Sequence, residues 1–377
     1  MYEVGKAVVV GAGIGGLTAA LGLARVGWSA VVLEQAESLG EVGAGLSLWP
    51  NAMRGLDALG VGDAVRAVSA TGVSRGSLRL PSGRWLRHAH PDDVPVQLVH
   101  RADLHRVLAD ALPGGWLRTG STVTDVDDGM VVYDTAGGPR TEQADVVVGA
   151  DGLRSAVRAR HWPAARVEFD GRTVWRAVTE PERPVGRASL TLGRTQQVGV
   201  LPLTDGRVYW FVLSAAAADG VRYDDEAGEL RMRLAGWPEP IGALLDATPP
   251  ERLLHHDIHV LEPLGTYVHG GTVLLGDAAH AQPPDLGQGA CQAIEDAVAL
   301  AAALGGEPDV AAGLARYDRE RRPRTQAVVR AARAQTDLAT RHYQMMTLVA
   351  RLLPQPLWRR QTARWTHWTP PALTPPR

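Results

Sequence analysis

The stretch KAVVVGAGIGGLTAALGLARVGWSAVVLE, Lys6 to Glu34, decides the fold. Lys6 to Val10 is a short β-branched run, glycines follow it, and helical periodicity extends from about Gly15 to Val26. Ala30 to Glu34 is a second β-branched run, so the whole reads as strand, helix, strand. Gly11, Gly13 and Gly16 stand at G-x-G-x-x-G spacing. The first glycine makes the tight turn, the second lets backbone approach a pyrophosphate, and the third lets the helix pack on the strand. The helix N-terminus turns unpaired N–H groups and a positive dipole end toward the phosphates. Glu34 ends the second strand eighteen residues after Gly16. A carboxylate there accepts hydrogen bonds from an adenosine ribose and repels a 2′-phosphate. The segment from Ala7 to Ala24 is also uncharged over eighteen residues, as a signal peptide or membrane span would be. Five glycines (Gly11, Gly13, Gly15, Gly16, Gly22) make it a poor apolar span and favour the nucleotide reading.

Around this unit, 377 residues suit two domains of ordinary size. Hydrophobic content of 45% and charged content of 21% fit a globular chain without long disordered tracts. A formal charge of −2 gives no basis for nucleic acid as a partner. Cys291 is the only cysteine, so neither an internal disulfide nor a redox-active disulfide exists, and a cytoplasmic setting is expected. Lys6 is the only lysine, so a catalytic lysine would have to be Lys6.

Helical pattern recurs at Asn51 to Leu59 and Ala102 to Leu112, and Asp145 to Val148 is a buried strand ending in Gly149-Ala150-Asp151-Gly152. From about Arg172 to Ser214 the chain changes character to antiparallel strands separated by turns. Asp224 to Trp237 reads as a helix. Val273 to Leu275 then returns to the first style, a short strand running into a glycine turn and a long helix, Ala290 to Leu304. Helical pattern continues from Val310 to about Val349, followed by a tail rich in Pro and Trp. The expected fold class is α/β: a Rossmann-like nucleotide domain over 1–72, 99–166 and 265–340, an inserted mainly antiparallel substrate domain over 73–98 and 167–264, and a helical tail over 341–377.

One such unit serves one dinucleotide, NAD or FAD, and later motifs bear on which. VVVGADGLRSAVR (Val146 to Arg158) and GTVLLGDAAH (Gly271 to His280) each place an Asp-containing turn directly after a buried strand. Gly287-Gln288-Gly289 precedes a helix whose first N–H groups point beyond its start, a geometry suited to an anionic reduced flavin. Together GAGIGG…E, HRADLHRVL, VVVGADGLRS and GDAAHAQPPDLGQGACQAIEDA resemble the single-component FAD-dependent aromatic hydroxylases, the para-hydroxybenzoate and salicylate hydroxylase family, from Lys6 to about Arg330. The tone of WPNA, VLPLTDGRVYWFV and HDI is nearest the urate and heterocycle hydroxylase branch.

That resemblance implies FAD as cofactor, NADH or NADPH as a transient co-substrate and O2 as oxidant. It implies hydroxylation of an electron-rich aromatic or heterocyclic molecule through a flavin C4a-hydroperoxide. By the same resemblance Gly11, Gly13, Gly15 and Gly16 hold the pyrophosphate, with Glu34 and Gln35 at the adenosine ribose. Arg101 lies along the phosphate and ribityl region, Val123 near the adenine, and Asp151 at a turn serving both nucleotides. Asp277 binds the ribityl chain, Gly287, Gln288, Gly289 and Ala290 cradle the flavin pyrimidine edge, and Pro284 stands at the reactive ring edge. Pro284, Asp285, Tyr209 and Arg176 are the expected catalytic set, and Trp175, Arg176, Gln197, Tyr209 and Trp210 the expected substrate lining. Strand alternation sends Trp175 and Arg176 to opposite faces, so they do not line one pocket equally. Gln197–Val198 and Arg176 stand where the urate branch has an arginine and an asparagine, which argues against urate itself.

Other readings compete. His255, His256 and His259 invite a metal site, but nothing near them has ligand spacing, so none is expected; His256 or Asp257 is a candidate general base. A flavin halogenase needs a lysine beside the flavin and W-x-W-x-I-P, and WTHW (Trp365 to Trp368) lacks the Ile-Pro. A flavin epoxidase, a two-electron reductase and a redox-silent FAD scaffold stay open. Cys291, inside a helix start, is read as packing, and His280 as shaping its turn.

Overall fold

The computed structural model describes residues 4–40, 44–73, 77–180 and 185–374. Lys6–Val10, Ile14–Arg25 and Ser29–Leu33 form the expected strand, helix and strand. Lys6–Val10 lies centrally in a six-stranded sheet, between Val146–Gly149 and Ser29–Leu33, and pairs parallel with both. Thr272–Leu274 adds the next parallel strand beyond Val146–Gly149. The valines of these strands are buried, as in a parallel sheet covered on both faces. Gly16 is fixed by close approach, because a Cβ there would run into the Gly11 carbonyl. The helix Gly289–Gly306 crosses Ile14–Arg25 as closely: a Cβ at Gly22 would sit 2.9 Å from the Ala301 methyl.

The second large sheet has seven strands, in the order Leu254–Leu261, Val167–Thr179, Val208–Ala215, Gln196–Pro202, Ser189–Leu192, Ser77–Arg79 and Trp85–Arg87. All its neighbours are antiparallel except Ser189–Leu192 with Ser77–Arg79. Its outer face carries Trp175, Ala177, Val198, Val200, Val208, Trp210 and Val212, packed against Leu230, Leu234, Ile241, Leu244 and Leu245 from two short helices. Its inner face turns to the nucleotide domain, whose core takes in Val178 and Leu203.

Two features depart from the sequence reading. Residues 122–143 form a separate three-stranded antiparallel sheet, signalled only by the glycine turns at Gly129 and Gly138, both at positive φ. The helical pattern after Val310 is two helices, Val310–Arg341 and Tyr343–Leu352, because His342 leaves helical geometry. A further helix, Gln355–Thr366, follows, and Arg54 ties its end back by donating to the Thr366 and Trp368 carbonyls at 2.6 and 2.7 Å. Among the described residues no helix is long and apolar enough to cross a membrane.

Candidate active site

The sheet register sorts the candidate residues. Directly opposed residues share a face. Trp175 opposes His255 and stacks on it at 4.1 Å, while Arg176 opposes Phe211 and Leu254 and lies on the inner face. Gln197, Tyr209 and Phe211 alternate with outer-face valines and Trp210, so they join Arg176. The expectation that Trp175 and Trp210 line the substrate pocket is therefore corrected. Their rings fill the outer core, where Trp175 donates to Glu226 at 2.6 Å and Trp210 to Thr248 at 3.1 Å.

The histidines separate by the same rule. His255 is held between Glu226 at 2.8 Å and Thr173 at 2.6 Å on the outer face. Asp257 opposes Thr173 on that face too and pairs with Arg222 at 2.9 Å, so it is no free base for the inner site. His259 contacts Asp219 at 3.0 Å. Only His256, opposite Val174, shares the inner face with Arg176. Partial desolvation, and then the Arg176 charge, lower its pKa from 6.5, although its ring still meets solvent. Among the described residues no group of three His, Cys, Asp or Glu is placed to hold a metal.

The nucleotide domain meets this face with three loops. Gly45 opens the strand Gly45–Leu48, and the Tyr209 ring lies so close that a Cβ on Gly45 would stand 2.6 Å from it. Arg101 starts the helix Arg101–Asp110, and its amide donates to the Ala44 carbonyl at 2.8 Å. Burial lowers the Arg101 pKa and the Arg176 charge pushes the same way, while Asp277 and Tyr209 oppose the shift. Arg101, Arg176, Asp277 and Tyr209 thus share one electrostatic neighbourhood, two cations to one carboxylate. Burial raises the Tyr209 pKa, so its hydroxyl stays protonated. Asp277 is the only exposed residue between Thr272 and Ala281, which fits a carboxylate turned out of a buried turn.

Asp285 is corrected as well. Arg172 grips it with two bonds, 3.0 and 2.8 Å, and the Thr336 hydroxyl adds a third at 2.8 Å, with its side chain 3% exposed. It latches sheet, loop and back helix together and is not a free catalytic carboxylate. Pro284 beside it is exposed.

Behind the loop lies a charged network that the sequence reading passed over. Asp296 accepts from the Gly276 amide at 3.0 Å, His280 Nε2 at 2.6 Å and Arg321 Nε at 2.7 Å. Glu295 accepts from Asn51 at 2.7 Å, Arg321 at 2.6 Å and Arg324 at 2.5 Å. Against the pull of burial, the His280 and Arg321 charges hold the Asp296 pKa down to about 2. His280 thus braces the turn by way of Asp296. Cys291 is buried, and burial pushes its thiol up to about 12, so it is no nucleophile at neutral pH. Arg158, also unforeseen, joins two loops by donating to the Ala278 carbonyl at 3.0 Å and to the Leu153 carbonyl.

The groups that an FAD molecule would meet fit it. The helices starting at Ile14 and Gly289 have neither a side-chain cap nor an acidic residue in the first turn, so their leading N–H groups are open to an anion. Cβ positions at Gly13, Gly152 and Gly289 would face open space. Asp151 Oδ1 and Gln288 Nε2 are buried without a partner among the described residues. The other Asp151 oxygen accepts from the Val157 amide at 3.2 Å. Glu34 accepts from the Ala12 amide at 2.7 Å and the Ala36 amide at 2.9 Å, which pins the glycine turn to the second strand. Gln35 beyond it is exposed, and Val123 is partly buried on the small sheet.

The FAD binding domain family matches residues 5–332. The chain belongs to the FAD-dependent aromatic hydroxylase family. It is 38% identical to the aurachin C monooxygenase/isomerase of Stigmatella aurantiaca, over 82% of this chain and 83% of that protein. It is 32% identical to the FAD-dependent urate hydroxylase of Klebsiella pneumoniae, over 88% and 90%. Klebsiella pneumoniae HpxO complexed with FAD and uric acid superposes with a TM-score of 0.85 at 27% identity, over 96% of each chain. As a family member the chain is an FAD-dependent monooxygenase that draws on NAD(P)H and O2 to hydroxylate an aromatic or heterocyclic compound. The α/β fold and the resemblance read from the glycine motifs both hold.

Proposed function

We propose that the chain hydroxylates a small aromatic or heterocyclic compound other than urate that presents an anionic or readily ionised oxygen to Arg176. The observation carrying this reading is the inner face of the large sheet. Arg176 Nε is buried with no partner among the described residues, and Tyr209, His256 and Gln197 share its face. A buried donor left unmatched costs about 1–3 kcal/mol, which an anionic ligand oxygen would recover.

FAD, when bound, supplies hydride acceptance and oxygen activation. The chain's own groups do the rest. Gly11, Gly13, Gly15 and Gly16 take the pyrophosphate, and Glu34 and Gln35 border the adenosine, with Val123 nearby. Arg101, Asp277 and Asp151 would hold the sugar chain of the cofactor. The amides from Gly287 to Ala290 favour negative charge on the flavin by about 0.3–2 kcal/mol. Pro284 borders the reacting edge. Arg176 orients the substrate, the protonated Tyr209 hydroxyl donates to it, and neutral His256 takes a proton from its hydroxyl. A single buried cysteine and use of NAD(P)H agree with a cytoplasmic location.

The test is a screen of phenols and fused heterocycles for NAD(P)H oxidation matched by oxygen uptake and a product heavier by one oxygen atom. Cofactor consumption without an oxygenated product from any compound would sink the reading. Asp277→Ala should purify without FAD; full retention of yellow flavin would show that Asp277 is misplaced at the sugar chain.

A further inference from the structure

The helices Tyr343–Leu352 and Gln355–Thr366 have two unlike sides. Met346, Ala350 and Trp358 pack inward with Leu78, Leu86, Leu190 and Leu192 of the large sheet. The Tyr343 hydroxyl donates to the Leu192 carbonyl at 2.9 Å. Leu192 opposes Gln197, so this is the same face of the sheet that carries Arg176. The other side is apolar and uncovered. Met345 is 51% exposed, Leu348 54%, Leu352 64% and Leu357 50%. Residues 345, 348 and 352 recur at helical spacing and form one stripe.

Charge accompanies the stripe. Residues 338–374 contain five arginines (Arg341, Arg351, Arg359, Arg360, Arg364) and no Asp or Glu, in a chain of net charge −2. All five are exposed, and Arg351, Arg359 and Arg360 have no ion-pair partner among the described residues. Arg351 follows Leu348 by three positions and Arg360 follows Leu357 by three, so cations flank the apolar side chains. Long arginine stems lie along apolar surface while their heads reach outward. This is the composition of a helix lying in the plane of a bilayer interface. A second copy of the chain fits less well, because a twofold contact through this patch would set arginines against arginines.

We infer that these two helices form a peripheral docking surface for an anionic lipid bilayer, which holds the substrate sheet beside the membrane without spanning it. The test is flotation of the FAD-loaded protein with vesicles of phosphatidylcholine alone or with one-third phosphatidylglycerol. Binding is expected only to the anionic vesicles, and added salt should weaken it. Arg351→Gln, Arg359→Gln and Arg360→Gln together should reduce partitioning about a hundredfold, at about fivefold per arginine. Leu348→Glu with Leu352→Glu should abolish flotation, with FAD content and NAD(P)H oxidation in solution unchanged. The inference is overturned if wild type fails to float with anionic vesicles, or if the double glutamate variant floats as well as wild type. It is also overturned if light scattering shows a dimer that the glutamates split, since the face is then a subunit contact.

Discussion

The two faces of the seven-stranded sheet are built from the same strands, residue by residue in alternation, and they are chemically opposite. On the outer face the buried ring nitrogens of Trp175, His255 and Trp210 are matched. Trp175 has Glu226, His255 has Glu226 and Thr173, and Trp210 has Thr248. On the inner face Arg176 keeps an unmatched buried nitrogen, and His256 stands open to solvent. A face satisfied by its own chain contributes stability. A face that leaves charged and hydrogen-bonding groups unmatched is arranged for a ligand.

Four substitutions can break or sharpen this contrast. Trp175→Ala should have the largest effect, a loss of about 3–5 kcal/mol in folding stability measured by denaturant titration. If activity fell while stability held, the outer face would be part of the site. His256→Gln should lower kcat about a hundredfold with little change in melting temperature. Because desolvation and Arg176 lower the His256 pKa, wild type should keep its proton acceptor below pH 6.5, and its acid limb should lie lower still. An acid limb unchanged in His256→Gln would remove His256 from the proton path. Arg176→Gln should reduce kcat/KM about 30-fold for an anionic substrate, and less for its neutral methyl ether. Equal losses on both would mean that Arg176 only packs. Cys291→Ser, beneath the site and on neither face, should change the rate less than about twofold, given how rarely a buried thiol ionises.

The sequence made parts of this legible for definite reasons. The glycine turns were readable because backbone chemistry at Gly11, Gly13 and Gly16 is local and has few alternatives. Asp277 stood out because it follows a buried strand. Alternation separated Trp175 from Arg176, but period two does not say which face meets the ligand. That depended on the domain packing at Gly45 and Tyr209, far apart in the chain. Asp285 looked catalytic because Arg172 and Thr336, its partners, lie 113 and 51 residues away. The network at Asp296 did leave a trace. Glu295 and Asp296 are the only charges in the otherwise apolar helix GACQAIEDAVALAAALGG, and such residues need buried partners.

Those partners come late in the chain. Glu295 and Asp296 are buried, and the guanidinium groups that neutralise them belong to Arg321 and Arg324. During synthesis, the helix beneath the flavin loop therefore emerges with Asn51 and His280 already made but without the guanidinium groups that complete its ion pairs. Its ion pairs are complete only after some thirty further residues have been made. The glycine turn at Gly11 to Gly16 is made long before the arginines that complete the floor of its cleft.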